Sequence, residues 1–105
     1  MHIVESPRDL EDAFGAAVAL VYKHSETCPI SAMSYREIER LDDAHPELPI
    51  FLVDVHAQRG LSRQLAERFT IRHESPQAIL LRDGEPVWHA SHYGVTVRAI
   101  EGELE

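Results

Sequence analysis

Three short apolar runs constrain this chain more than anything else in it. They are Val18-Ala19-Leu20-Val21-Tyr22, Ile50-Phe51-Leu52-Val53-Asp54-Val55 and Ala78-Ile79-Leu80-Leu81-Arg82. Each is continuous rather than alternating, as expected of strands covered on both faces; the first is predicted over 18–23. Segments with helical spacing lie between them. One runs from Pro29 to about Ala44, with Ile30, Ser34, Ile38 and Leu41 inward and Met33 beside them. Another runs from Arg59 to Phe69, with Leu61, Leu65, Ala66 and Phe69 inward.

The flanks complete the pattern. Ser6-Pro7 reads as a helix start, Ser6 as N-cap and Pro7 at the first helical position. Leu10, Ala13, Phe14 and Ala17 follow as one apolar stripe. Residues 2–4 are predicted to add a short edge strand. Asp83-Gly84 is a two-residue hairpin signal. Pro86-Val87-Trp88-His89-Ala90 returns as an antiparallel strand, and Pro86 marks it as an edge. Gly94-Val95-Thr96 opens a last helix, capped by Thr96, with Ile100 and Leu104 inward. Strands alternating with helices imply parallel pairing, and the closing hairpin adds antiparallel strands. The expectation is an α/β fold, a central mixed sheet with helices on both faces, formed as one domain over 1–105.

Composition narrows the function. Eighteen Asp and Glu against ten Lys and Arg give a net charge of −8, which argues against nucleic acid or an anionic membrane as partner. No apolar run approaches the ~20 residues that span a bilayer. The first residues lack the basic start and apolar stretch of a signal peptide. A lone cysteine, Cys28, allows no internal disulfide, so a reducing, cytoplasmic setting is expected.

Cys28 lies in Thr27-Cys28-Pro29-Ile30-Ser31, where a strand ends and a helix begins. A thiol there meets unpaired backbone N–H groups and the positive end of the helix dipole. Both favour the thiolate, the form that attacks disulfides. The alternative for a lone cysteine is a small buried hydrophobe.

With Cys28 at that junction, the order of elements is thioredoxin-like. Phe69-Thr70-Ile71, Ser75-Pro76 and the Asp83-Gly84 turn resemble the second half of thioredoxin. More closely, Thr27-Cys28-Pro29-Ile30-Ser31, Glu74-Ser75-Pro76-Gln77, Asp83-Gly84 and Trp88-His89-Ala90-Ser91-His92 resemble the monothiol bacilliredoxin (YtxJ-type) family. The resemblance implies thiol–disulfide exchange with bacillithiol, a low-molecular-weight thiol, which the protein would remove from mixed disulfides on other proteins. Bacillithiol would be a co-substrate, with no bound cofactor. The partners would be S-thiolated proteins. Ser31 stands where thioredoxin has its second cysteine, and serine cannot resolve a mixed disulfide; a monothiol mechanism remains. Thioredoxin's buried acid corresponds to Tyr22.

Cys28 is therefore the expected nucleophile, and Thr27, Pro29, Ser31, Ser75 and Pro76 are expected to shape its site. The resemblance implies a cis Pro76, with the Ser75 backbone free to pair with an extended substrate. The Ser31 hydroxyl either faces the sulfur or is an ordinary exposed helical serine. His24 and His73 are candidates for lowering the thiol's pKa as histidinium ions. His89-X-X-His92 and the His24/Cys28 pair match no zinc pattern, so no metal is expected. Two other readings share these residues: a non-catalytic redox sensor whose cysteine becomes S-thiolated, and a thioredoxin-like binding module whose cysteine is inert. Ser25-X-X-Cys28 also echoes peroxiredoxins faintly, in a chain short for that family.

Overall fold

The computed structural model describes residues 1–104. Its core is a five-stranded sheet in the order β1-β3-β2-β4-β5, formed by β1 (His2–Ile3), β2 (Val18–His24), β3 (Ile50–Asp54), β4 (Gln77–Arg82) and β5 (Glu85–Ser91). The helices are α1 (Pro7–Gly15), α2 (Pro29–Ala44), α3 (Arg59–Phe69) and α4 (Val97–Leu104), with a 3-10 turn at His92–Gly94. β1 and β2 both pair parallel with β3. β4 pairs antiparallel with β2 and with β5.

Strand alternation sorts the core into two layers. Ala19, Val21, Phe51, Val53, Ile79 and Leu81 pack against Leu10, Ala13, Leu61, Leu65 and Phe69 of α1 and α3. Leu20, Tyr22, Ile50, Leu52, Ala78 and Leu80 pack against Ile38, Leu41 and Ile100 of α2 and α4. Each fully buried aliphatic side chain contributes roughly 1.5–3 kcal/mol of transfer free energy. The mixed sheet with helices on both faces is thus as the sequence implies.

The local signals act as expected at the element ends. The Asp9 carboxylate accepts the N–H groups of Glu5 (2.8 Å) and Ser6 (3.1 Å) at the start of α1, which holds it below its ordinary pKa. Thr96 Oγ1 accepts the Ala99 N–H at 3.1 Å and caps α4. Asp83 and Gly84 both have positive φ, 51° and 81°, the demand of a type I′ hairpin turn. Pro86 lies on β5, an edge strand beside a register shift at Leu80/Leu81.

Four expectations need correction. Helix α1 ends at Gly15, so Ala17 lies outside it and is exposed. Strand β2 runs through His24, and Lys23 is fully buried. Ile30 is only half-buried and Met33 is 52% exposed. The outer side of the first turns of α2 faces the 3-10 turn, so these two side chains wall an open groove with His92 and Tyr93. Ala66 and Leu104 are half-buried, at the margins of their layers. The 3-10 turn itself has no advance signal: His92 adopts φ 54°, a conformation uncommon outside glycine.

Candidate active site

Cys28 is the N-cap residue of α2, directly after β2 and its loop, with Pro29 at the first helical position. Its thiol is half-exposed and free. The loop closes as a turn, the Cys28 N–H donating to the Ser25 carbonyl (3.3 Å) and the Ser31 N–H to the Cys28 carbonyl (3.0 Å). Pro29 has no N–H, and the Ile30 N–H makes no main-chain hydrogen bond among the described residues. The sulfur therefore sits at the positive end of a helix.

Ser31 is fully buried, not an exposed helical serine. Its Oγ accepts the Ser25 N–H at 3.3 Å, so the side chain at the resolving position of a dithiol enzyme here braces the loop that carries Cys28. Thr27 is exposed, and its Oγ1 lies 3.3 Å from both Ser25 Oγ and His56 Nε2. Ser25 Oγ is 3.0 Å from the same nitrogen. Asp54 Oδ1 accepts the His56 and Ala57 N–H groups at 2.9 and 3.1 Å. The β3–α3 loop is thereby tied to the residues before Cys28.

The α3–β4 loop arrives from the other side. The Ser75–Pro76 peptide is cis. Pro76 is buried, and its carbonyl accepts the His92 N–H at 2.9 Å. The Ser75 main chain makes no main-chain hydrogen bond among the described residues. A hydrogen bond with Ser91, and then the nearby His92, Arg72 and His89, hold the Glu74 carboxyl below its ordinary range.

Both candidate histidines are engaged by neighbouring side chains. His24 packs between Tyr22 and Tyr35, with ring centroids at 5.6 and 5.2 Å, and its Nδ1 is 3.1 Å from the Tyr22 hydroxyl. Burial pushes its pKa below the ordinary value. His73 Nδ1 lies 3.2 Å from Lys23 Nζ and 3.1 Å from Ser62 Oγ; burial, then Lys23 and Arg63, lower it too. At both rings burial opposes the charged form, and at His73 the neighbouring cations oppose it further. Tyr22, at the position of thioredoxin's acid, has its phenol pushed well above the usual range, first by burial and then by Tyr35 and Cys28. It is a hydrogen-bonding group, with its hydroxyl 3.4 Å from the Ser31 carbonyl.

Composition conceals Lys23, Ser62 and Gln77. Lys23 closes an apolar run in phase with Ala19 and Val21, and Gln77 is in phase with Ile79 and Leu81. That two-residue period is the signal that both face the α1/α3 layer. The two are cross-strand partners and are buried. Lys23 Nζ donates to the Ser62 carbonyl at 3.0 Å, and Gln77 Nε2 to the Arg72 carbonyl at 3.0 Å. Together they fasten the loop that presents Ser75 and Pro76. Among the described residues no three His, Cys, Asp or Glu side chains gather to hold a metal, and no helix is long and apolar enough to cross a membrane.

Known proteins share this fold. A thioredoxin-fold protein described as an oxidoreductase is 30% identical, with a TM-score of 0.91 over 99% of this chain and 93% of its own. Thioredoxin from Fasciola hepatica is 18% identical, with a TM-score of 0.76 over 99% of this chain and 96% of its own. A thioredoxin variant from Halobacterium salinarum is 22% identical, with a TM-score of 0.78 over 99% and 87%. The last two likenesses show the fold. The sequence pattern of monothiol bacilliredoxin BrxC matches residues 3–100. With a half-exposed lone cysteine capping α2 and a buried serine in the resolving position, the chain belongs to the monothiol bacilliredoxin family of thioredoxin-like thiol oxidoreductases.

Proposed function

We propose that this protein removes bacillithiol, or a similar low-molecular-weight thiol, from mixed disulfides on other proteins. The observation that carries the reading is the placement of Cys28, half-exposed at the start of α2, with no second cysteine in the chain. The Cys28 thiolate attacks the bacillithiol sulfur of the mixed disulfide. That sulfur–sulfur bond breaks, the protein's sulfur leaves with the electron pair and takes up a proton, and a Cys28–bacillithiol disulfide remains. Ser31 offers no sulfur, so a second thiolate attacks the bacillithiol sulfur and releases Cys28. The main chain of Ser75, open beside Pro76, is the edge on which an extended substrate segment would pair. Dependence on an external thiol pool suits the cytoplasm.

Turnover tests this reading against that of a sensor modified once. Sub-stoichiometric protein is mixed with an S-bacillithiolated protein and excess bacillithiol, and released protein thiol is counted. Several equivalents released per Cys28 is the expected result. A single equivalent, with the adduct then persisting on Cys28, would make the protein a sensor or carrier.

A further inference from the structure

One hollow of this acidic chain is walled by basic groups. It is a cavity of about 140 Å3 lined by Val55, Arg59, Ser62, Arg63 and His73. Liquid water occupies about 30 Å3 per molecule, so the hollow accommodates a group the size of a carboxylate with its neighbouring carbons. Arg59 and Arg63 stand one turn apart on α3. Neither makes an ion pair among the described residues.

The third basic wall is built from within. Lys23 is wholly buried and has no carboxylate partner among the described residues. Its ammonium can only donate, and it donates to the Ser62 carbonyl and to His73 Nδ1. With Nδ1 accepting, the ring proton of neutral His73 resides on Nε2, the far side of the ring. A buried residue thus fixes both the tautomer and the orientation of an imidazole that lines the hollow.

The hollow lies at the end of the sheet that carries Cys28. Val55 leads into His56, whose Nε2 meets Ser25 and Thr27, and His73 lies in the loop that continues to Pro76. We propose that this hollow is an anion subsite that holds a carboxylate of the thiol co-substrate while its sulfur reacts at Cys28. The assignment rests on the thiol-exchange reading and deepens it: it names Arg59, Arg63 and His73 as the side chains that hold the co-substrate's carboxylate. In a chain of net charge −8, an acidic thiol needs such a local anchor against the repulsion of the whole molecule.

The test measures by intact mass how fast Cys28 takes up half of a symmetric disulfide. Oxidised glutathione, which carries carboxylates, is compared with uncharged 2-hydroxyethyl disulfide. Arg59→Gln/Arg63→Gln should slow the first by about tenfold, the scale of a lost contact to a charged group. It should leave the second within about twofold of wild type. Arg40→Gln/Arg98→Gln removes the same charge elsewhere and should change both by less than about threefold. Equal slowing with both disulfides, or equal slowing in the two double variants, would overturn the subsite while leaving thiol exchange standing. Failure of the wild type to form an adduct with either disulfide would overturn both.

Discussion

Lys23 shows how a single residue can escape a sequence reading. It closes an apolar run, yet its side chain is as buried as those of its neighbours. Burial lowers its pKa from 10.5 to about 8. At about 1.4 kcal/mol per pKa unit, keeping the charge inside at neutral pH costs on the order of 3 kcal/mol. A folded value below the unfolded one means that stability rises with pH between about 8 and 10.5 and is lost as pH falls through the folded value. Lys23→Met should therefore be more stable than wild type near pH 7, with the lost hydrogen bonds to Ser62 and His73 offsetting part of the gain. The advantage should shrink by roughly 2 kcal/mol near pH 9.5. Urea melts at the two pH values check this, and an advantage that does not change with pH would contradict a charged, buried Lys23. Cys28 was easier to read than Lys23, because its position between strand and helix follows from local pattern alone. The downward pKa shifts of His24 and His73 depend on burial and, at His73, on Lys23, which is distant in sequence, and local pattern cannot supply them.

At the scale of elements, caps and turns were the most legible features, because their chemistry is local. Ser6-Pro7, Thr96 and Asp83-Gly84 all act where the sequence puts them. What the sequence does not contain is how close other segments come. A Cβ on Gly84 would lie 2.7 Å from the Phe14 carbonyl oxygen, and Asp83 donates its N–H to the Ala17 carbonyl at 2.9 Å. The hairpin is thus clamped to the end of α1. Gly84→Ala faces a positive φ, worth about 1–2 kcal/mol by itself, and a backbone collision in addition. Its thermal midpoint should fall by roughly 5–10 °C or more. A midpoint within about 2 °C of wild type would mean that the turn relaxes freely. The 3-10 turn at His92–Gly94 is the element that local pattern misses. It is fixed by contacts from elsewhere, the Pro76 carbonyl on the His92 N–H and the Ser34 hydroxyl on the His92 carbonyl.

For the whole molecule, alternation of strands and helices determined the class of fold, and the proline in β5 correctly marked an edge. The order of strands brings the β2–α2, β3–α3 and α3–β4 loops to one end of the sheet, around Cys28. The sequence named the first and third of these loops. The second enters through His56, whose contacts with Ser25 and Thr27 exist only once β2 and β3 lie side by side. The resulting site has one sulfur and a buried hydroxyl where a resolving sulfur would stand, so under the proposed function every exchange passes through an adduct on Cys28. Mixing equimolar wild type with an S-bacillithiolated protein, and weighing both intact, tests this directly. The account predicts that the substrate loses one bacillithiol and this chain gains one, while Cys28→Ser gains nothing and leaves the substrate modified. Release of the substrate thiol by Cys28→Ser, at the wild-type rate, would contradict it.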